Sequence, residues 1–215
     1  MPSDVELLTH WRAGDRGAGE ALFERYYQHV ERFFVNKVGA EIRDLVQDTF
    51  AALVKNQARL ADGQRFRSYL FSVAYNVLND HLRDKYRRAA HGEVDIAELS
   101  AHALSPSPST ALAERDEQRL LLEGLRRIPL ADQSLLELFY WEDLTTADIA
   151  AILDIPRGTV KSRLKNARGR LEQALRQLSD SDEVLASTLS GLETWAMKCR
   201  VLLGRADEAL REGAG

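Results

Sequence analysis

The sequence predicts an all-α protein: two small helical domains joined by a flexible linker, followed by an amphipathic helical tail. Three observations carry that expectation. Apolar residues recur at three-and-four spacing in one segment after another, the period of a helix with one buried face. A Ser/Pro-rich stretch ending in SPSPST interrupts the pattern near mid-chain and reads as a linker. Residues 144–171, LTTADIAAILDIPRGTVKSRLKNARGRL, read as two short helices with a tight break. The expected division is residues 1–90, a linker over 91–110, a second domain over 111–179 and a tail over 180–215.

In chain order, Ser3 or Asp4 can cap a first helix that places Val5, Leu8 and Trp11 on one face. Residues 13–17, AGDRG, form a turn. Leu22, Phe23, Tyr26, Val30, Phe33, Phe34 and Val38 then make a long amphipathic helix whose aromatics are core packing. In residues 42–53, IRDLVQDTFAAL, the residues Ile42, Leu45, Val46, Thr49, Phe50 and Leu53 face inward. Asp44, Gln47 and Asp48 face out together at i, i+3 and i+4. These carboxylates lack a histidine or a second acidic pair, so a docking or solvated face is expected rather than an enzyme site.

Residues 56–64 contain the turn dipeptide Asp62-Gly63. A helix over 65–88 follows, buried through Phe66, Leu70, Val73, Ala74, Val77 and Leu82. Its outer face carries basic groups interleaved with amides and an aromatic, among them Arg67, Tyr69, Asn76, Asp80, Arg83 and Arg87. Unstacked single-stranded nucleic acid needs cations for its phosphates and donors and ring faces for its bases. After the linker, in which His91 and His102 lack ligand-like company, helices follow over 111–128 and 133–141.

They lead to the pair over 144–171. Thr145 and Asp148 form a capping-box signature, Asp154-Ile155 makes the break, and Pro156 suits a helix start. In the second helix Val160, Leu164, Ala167, Leu171, Ala174 and Leu178 form one stripe. The opposite face carries Arg157, Gly158, Thr159, Lys161, Ser162, Arg163 and Lys165. A cationic face with amide and hydroxyl groups on a helix-turn-helix suits the major groove of duplex DNA. The tail is acidic, and its stripe (Leu185, Leu189, Leu192, Trp195, Cys199, Leu203) must bury against the chain's own domains or a partner.

Composition bounds the function. The 215 residues carry 29 Lys and Arg against 33 Asp and Glu, a net charge of −4. A tight stand-alone DNA binder would be more basic, because phosphate neutralisation supplies most non-specific affinity. A larger partner is expected to contribute the rest. Cys199 is the one cysteine, so no intrachain disulfide or cysteine-rich zinc site is expected. No cofactor, metal, glycine-rich phosphate loop or membrane insertion is expected, and the first residues are unlike a signal peptide, so a cytoplasmic location is expected.

Several motifs together resemble the extracytoplasmic-function (ECF) sigma factors of bacterial RNA polymerase: Arg12-Ala-Gly-Asp15 with the aromatic helix after it, Asp44-Leu-Val-Gln47-Asp48-Thr-Phe50, Phe66-Arg67-Ser-Tyr-Leu70, Asn76 to Arg83, and Ile155-Pro-Arg-Gly-Thr-Val-Lys-Ser-Arg-Leu164. The resemblance covers roughly residues 5–178 and implies a sigma region 2-like domain followed by a region 4-like one. It implies that Asp44, Gln47, Asp48 and Phe50 grip the coiled coil of the largest polymerase subunit, with the polymerase flap as a further contact. It implies that Arg67, Tyr69, Asn76, Asp80, Arg83 and Arg87 melt the −10 element. Arg157, Gly158, Thr159, Lys161, Ser162, Arg163 and Lys165 would read the −35 element. Core RNA polymerase, promoter DNA and an anti-sigma factor are the implied partners. Tyr75, Asp84 and Gln133 depart from residues frequent in the family, and the tail lies outside its minimal pattern. A helix-turn-helix regulator acting without polymerase is the alternative reading.

Overall fold

The computed structural model describes residues 2–39, 41–56, 66–88, 99–104, 116–179 and 181–190. They form α1 (Asp4–Arg12), α2 (Arg16–Val35), α3 (Ile42–Lys55), α4 (Phe66–Arg88), α5 (Ala101–Leu104), α6 (Asp116–Arg127), α7 (Leu130–Tyr140), α8 (Thr146–Leu153), α9 (Arg157–Leu178) and α10 (Asp182–Ser190). Among the described residues there is no strand, only an isolated bridge between Ser100 and Pro129.

Local chemistry explains the helix ends. Ser3 and Glu6 close a capping box at the start of α1, and the Asp15 carboxylate accepts from the Ala18 N–H to start α2. Each side chain satisfies donors that the first helical turn leaves open. Helices α1 to α4 pack in sequence, with α2 against α1, α3 and α4. Their core is rich in aromatics: Phe33 meets Phe34 and Phe71 edge-on, and Tyr26 leans on Phe66. Helices α6 to α9 form a second group around Leu121, Leu125, Leu135, Leu138, Ile149, Val160, Leu164 and Leu171.

The two groups are in contact, chiefly through α4 against α8. The buried part of α4 differs from the predicted stripe. Phe71 and Leu78, outside the predicted stripe, are buried, whereas Val73 and Val77 are only partly so. The C-terminal end of α2 also enters the seam: Asn36 Nδ2 donates to the Leu122 carbonyl (3.1 Å), and Gln133 Nε2 donates to the Asn36 carbonyl (3.2 Å). Part of the expected linker is folded. The Leu130 N–H donates to the Leu99 carbonyl (2.7 Å) and Ala101 is fully buried. His91 and residues 105–110 lie outside the described residues.

The tail begins as a helix packed on the chain itself. α10 lies against α6 and α9, with Leu185 and Thr188 buried. Residues 191–215, with Trp195 and Cys199, are outside the described residues. No helix among the described residues is long and apolar enough to cross a membrane.

Two helix contacts need a missing side chain. A Cβ on Gly124 would come within 2.7 Å of Leu175 Cδ2, so α6 and α9 meet closely there. A Cβ on Gly19 would lie 2.6 Å from both Cδ1 and Nε1 of the Trp11 indole. Alanine in a helix interior is ordinarily favoured over glycine by about 1 kcal/mol, but the rigid indole has no room to yield. Gly19→Ala should therefore cost about 1–3 kcal/mol, the usual penalty of overpacking. Gly169→Ala, where a Cβ meets nothing within 4 Å, should instead stabilise. Urea unfolding of both variants reads the two signs.

Candidate nucleic-acid and polymerase interfaces

Helices α8 and α9 assemble as their local chemistry predicts. Thr145 Oγ1 accepts from the Asp148 N–H (3.2 Å) and Asp148 Oδ2 accepts from the Thr145 N–H (3.1 Å). Asp154 ends α8 in the left-handed conformation at φ 52°, and Asp143 adopts φ 54° ahead of it. Aspartate tolerates this region better than most residues. Pro156 then takes the position just before α9, without a side-chain hydrogen bond. Val160, Leu164, Ala167, Leu171 and Ala174 bury as the stripe predicts, and Leu175 joins them. Arg157, Gly158, Lys161, Ser162, Arg163 and Lys165 are exposed and Thr159 is half-buried. Among the described residues, no ion pair engages Arg157, Lys161, Arg163 or Lys165, and the Ser162 hydroxyl donates to the Thr159 carbonyl (2.9 Å). One face of α9 is therefore open and cationic.

On α3, Asp44, Gln47 and Asp48 are exposed along one face while Phe50 is buried beneath. Phe50 rests on Phe23, ring centroids 4.7 Å apart, and lies parallel to Tyr27 at 6.5 Å. Tyr27 and Val54 are themselves exposed large apolar residues, at 40% and 51%. The acidic face thus has apolar neighbours that sequence reading missed, since Tyr27 belongs to a different helix.

The candidates on α4 divide. At 3.6 residues per turn, Tyr69, Asn76, Asp80, Arg83 and Arg87 fall on one side and Arg67 on the opposite side. Asn76, Asp80, Arg83 and Arg87 are exposed and Tyr69 is half-buried. Arg83 Nη1 donates to Asp80 Oδ1 (2.9 Å). Arg67 instead donates from Nη2 to Glu142 Oε2 (2.8 Å), across the seam. The structure therefore does not bring Arg67 together with the other five. Its basic character suggested the outer face, but its place on the helix is the seam.

Glu142, just after α7, also lies 2.8 Å from His29 Nδ1 and 3.4 Å from Arg32 Nη2. Burial pushes its carboxyl up, but His29, Arg32 and Arg67 outweigh that and hold it below the usual range. Nearby, Lys37 donates to Glu137 and, at 2.6 Å, to the Phe33 carbonyl. Both members of that pair are buried, at 0% and 2% side-chain exposure. Burial pushes the Glu137 carboxyl up and the Lys37 ammonium down, and their contact opposes both movements.

The sequence model of the family described as ECF sigma factor matches residues 2–177. The chain belongs to the ECF sigma factor family. The RNA polymerase sigma-H factor of Pseudomonas aeruginosa is 26% identical over 183 residues, covering 81% of this chain and 95% of that protein. The ECF RNA polymerase sigma factor SigM of Mycobacterium tuberculosis is 28% identical over 180 residues, covering 82% and 87%. Two solved structures share the fold. The sigma factor RpoE bound to the anti-sigma factor NepR, from Bartonella quintana, superposes with TM-score 0.59 at 21% identity, over 73% of this chain and 96% of that one. CnrH, in complex with the cytosolic domain of CnrY, superposes with TM-score 0.58 at 22% identity, over 84% and 100%.

This sigma factor's seam residues His29, Arg32, Lys37, Glu137 and Glu142 were not singled out by sequence. The available signal was spacing: His29 and Arg32 stand at i and i+3 on a helix read for its aromatics. No cluster of three or more His, Cys, Asp or Glu able to hold a metal occurs among the described residues. A carboxyl held low when folded contributes stability that is full above its unfolded value and lost as pH falls through its folded value. The stability advantage of the wild type over Glu142→Gln should thus be present at neutral pH and shrink below the ordinary carboxylate value of 4.5, as urea unfolding across a pH series will read.

Proposed function

We propose that this sigma factor works in the cytoplasm, without chemistry of its own, to bring core RNA polymerase to promoters by two DNA contacts and one protein contact. The open cationic face of α9 is the observation that carries this reading. A helix presenting Arg157, Lys161, Ser162, Arg163 and Lys165 together, behind a capped helix and a left-handed turn, fits a duplex major groove. Residues 111–179 would be the −35-reading domain and residues 1–90 the domain that holds the −10 element, joined through residues 91–110.

On α4, Tyr69, Asn76, Asp80, Arg83 and Arg87 share one side, which suits a single strand with an unstacked base. The loop read over residues 56–64 lies, from residue 57 on, outside the described residues. The face formed by Asp44, Gln47 and Asp48, over Phe50 and beside Tyr27 and Val54, is a docking surface for a basic element of the polymerase. Acids at the rim would steer and orient docking, while the aromatic base supplies apolar contact. An anti-sigma factor would compete for these surfaces. The first portion of the tail packs on α6 and α9, which supports a role for residues 180–215 in how the α9 domain meets its partners.

The decisive experiment mixes the purified chain with core polymerase and genomic DNA fragments. Co-elution and new transcript starts are expected, whereas tight binding to palindromic duplex without polymerase would favour a stand-alone regulator. On a promoter found this way, Lys161→Ala or Arg163→Ala should each weaken −35-dependent initiation by about 1–3 kcal/mol where the side chain reads a base. A purely phosphate contact would instead weaken all sequences equally. Asp44→Asn with Asp48→Asn should reduce core affinity and leave the fold intact. Run-off transcription and a core-binding titration separate the two effects.

A further inference from the structure

The open face of α9 has a centre and two edges. At 3.6 residues per turn, Ser162, Lys165 and Asn166 lie within about 50° of the line opposite the buried Val160, Leu164, Ala167 and Leu171. Lys161 and Arg168 stand roughly 90–110° from that line on one side, and Arg163 and Arg170 equally far on the other. All of these polar side chains are exposed. Helix α7, which packs against α9, takes one cation from each edge. Arg170 Nη1 donates to Asp132 Oδ2 (2.7 Å), and the Arg168 guanidinium lies 5.9 Å from the centre of the Tyr140 ring. At the centre, the Ser162 hydroxyl already donates to the Thr159 carbonyl. Among the described residues, no hydrogen bond or ion pair engages the side chains of Lys165 and Asn166.

This division matches the cross-section of duplex DNA. The floor of a major groove about 12 Å wide presents base edges, and the phosphates run along its rims. A helix lying in the groove with its apolar stripe turned away offers its centre to the bases and its edges to the two backbones. Asn166 lies about 14 Å along the axis from the start of α9, still within reach of that floor. Gln173, the next exposed amide, lies about 24 Å along, twice the groove width, and is carried past it. A carboxamide holds a donor and an acceptor on one planar group, so it can bond N6 and N7 of adenine together. Guanine presents two acceptors there and leaves the amide oxygen without a donor.

We propose that Asn166 is a specificity-determining residue of α9 that selects an adenine at one base pair of the duplex, while Arg163, on the edge, holds a phosphate and carries no base preference. The inference rests on the reading of α9 as the −35 helix. It adds which side chain sets the sequence at one position, and it separates reading from holding by angle around the helix. Asn166 stands outside the set that the cationic pattern of the sequence marks, because an uncharged amide adds nothing to that pattern.

The test uses the full chain bound to core polymerase and a promoter found with that complex. Each base pair of its upstream element is replaced in turn by the other three, and binding of every duplex is titrated. The wild type should prefer adenine at one pair by roughly 5- to 150-fold, the discrimination of a single bidentate contact. Asn166→Ala should lose the preference at that pair and keep the preferences at the others. Asn166→Arg should move the preference there to guanine, whose O6 and N7 match a guanidinium fork. Arg163→Ala should weaken all the duplexes alike and lower the slope of log K against log salt by about 0.9, one phosphate contact on a duplex. An unchanged preference profile in N166A, a loss spread evenly over all duplexes, or adenine still preferred by N166R overturns the proposal. A merely structural role for Asn166 would give the even loss and no guanine preference. Should N166A not fold by circular dichroism, Asn166→Asp keeps the shape and removes the donor. Adenine preference retained by that variant overturns the proposal equally. Upstream discrimination that survives intact in N166A removes only the assignment of Asn166 and keeps α9 as the reading helix. A wild-type complex that discriminates at no upstream pair sinks the reading of α9 itself.

Discussion

The arrangement of the two halves depends on charge buried at their seam. Lys37, at the end of α2, is fully enclosed and its ammonium is held by Glu137 of α7 and by the Phe33 carbonyl, above the Phe33 ring at 4.0 Å. An isolated ammonium could not be placed there, since removing it from water without a partner costs several kcal/mol. The requirement is mutual, because Glu137 is equally enclosed. Each half therefore carries a charge that is acceptable inside the molecule only while the other half is present. Such a pair adds little net adhesion, but removing either partner would leave the other charge buried and uncompensated.

The same seam explains why α4 has two characters. Its inner side, from Phe66 through Leu70, Ala74, Leu78 and Leu82, is committed to the aromatic core. Its outer side, with Asn76, Asp80, Arg83 and Arg87, is open to solvent. Arg67 lies where the helix enters the seam, so its guanidinium serves Glu142 rather than the outer face. A single helix thus separates apolar packing, a polar seam contact and an open polar surface by angle around its axis.

The helix-turn-helix stands apart from this coupling. Its caps, left-handed turn and buried stripe come from residues close in sequence, and α9 keeps its basic face clear of the seam. The α2–α4 cluster is instead closed over Glu142.

The sequence by itself determined the helices, their caps and their open faces. The Thr145–Asp148 box, the turn at Asp154, the stripe from Val160 to Ala174 and the outward set Asp44, Gln47 and Asp48 all rest on interactions within one or two helical turns, which spacing encodes directly. It did not determine which polar residues are buried. Gln133 and Glu137 are enclosed against residues from the end of α2, and Arg67, read as surface, meets Glu142. Those positions were decided by the meeting of α2 and α4 with α7 and α8. Partners as far apart in the chain as Lys37 and Glu137 leave no periodic trace, because a buried charge is tolerated only where another segment brings its complement, and only the tertiary structure brings it.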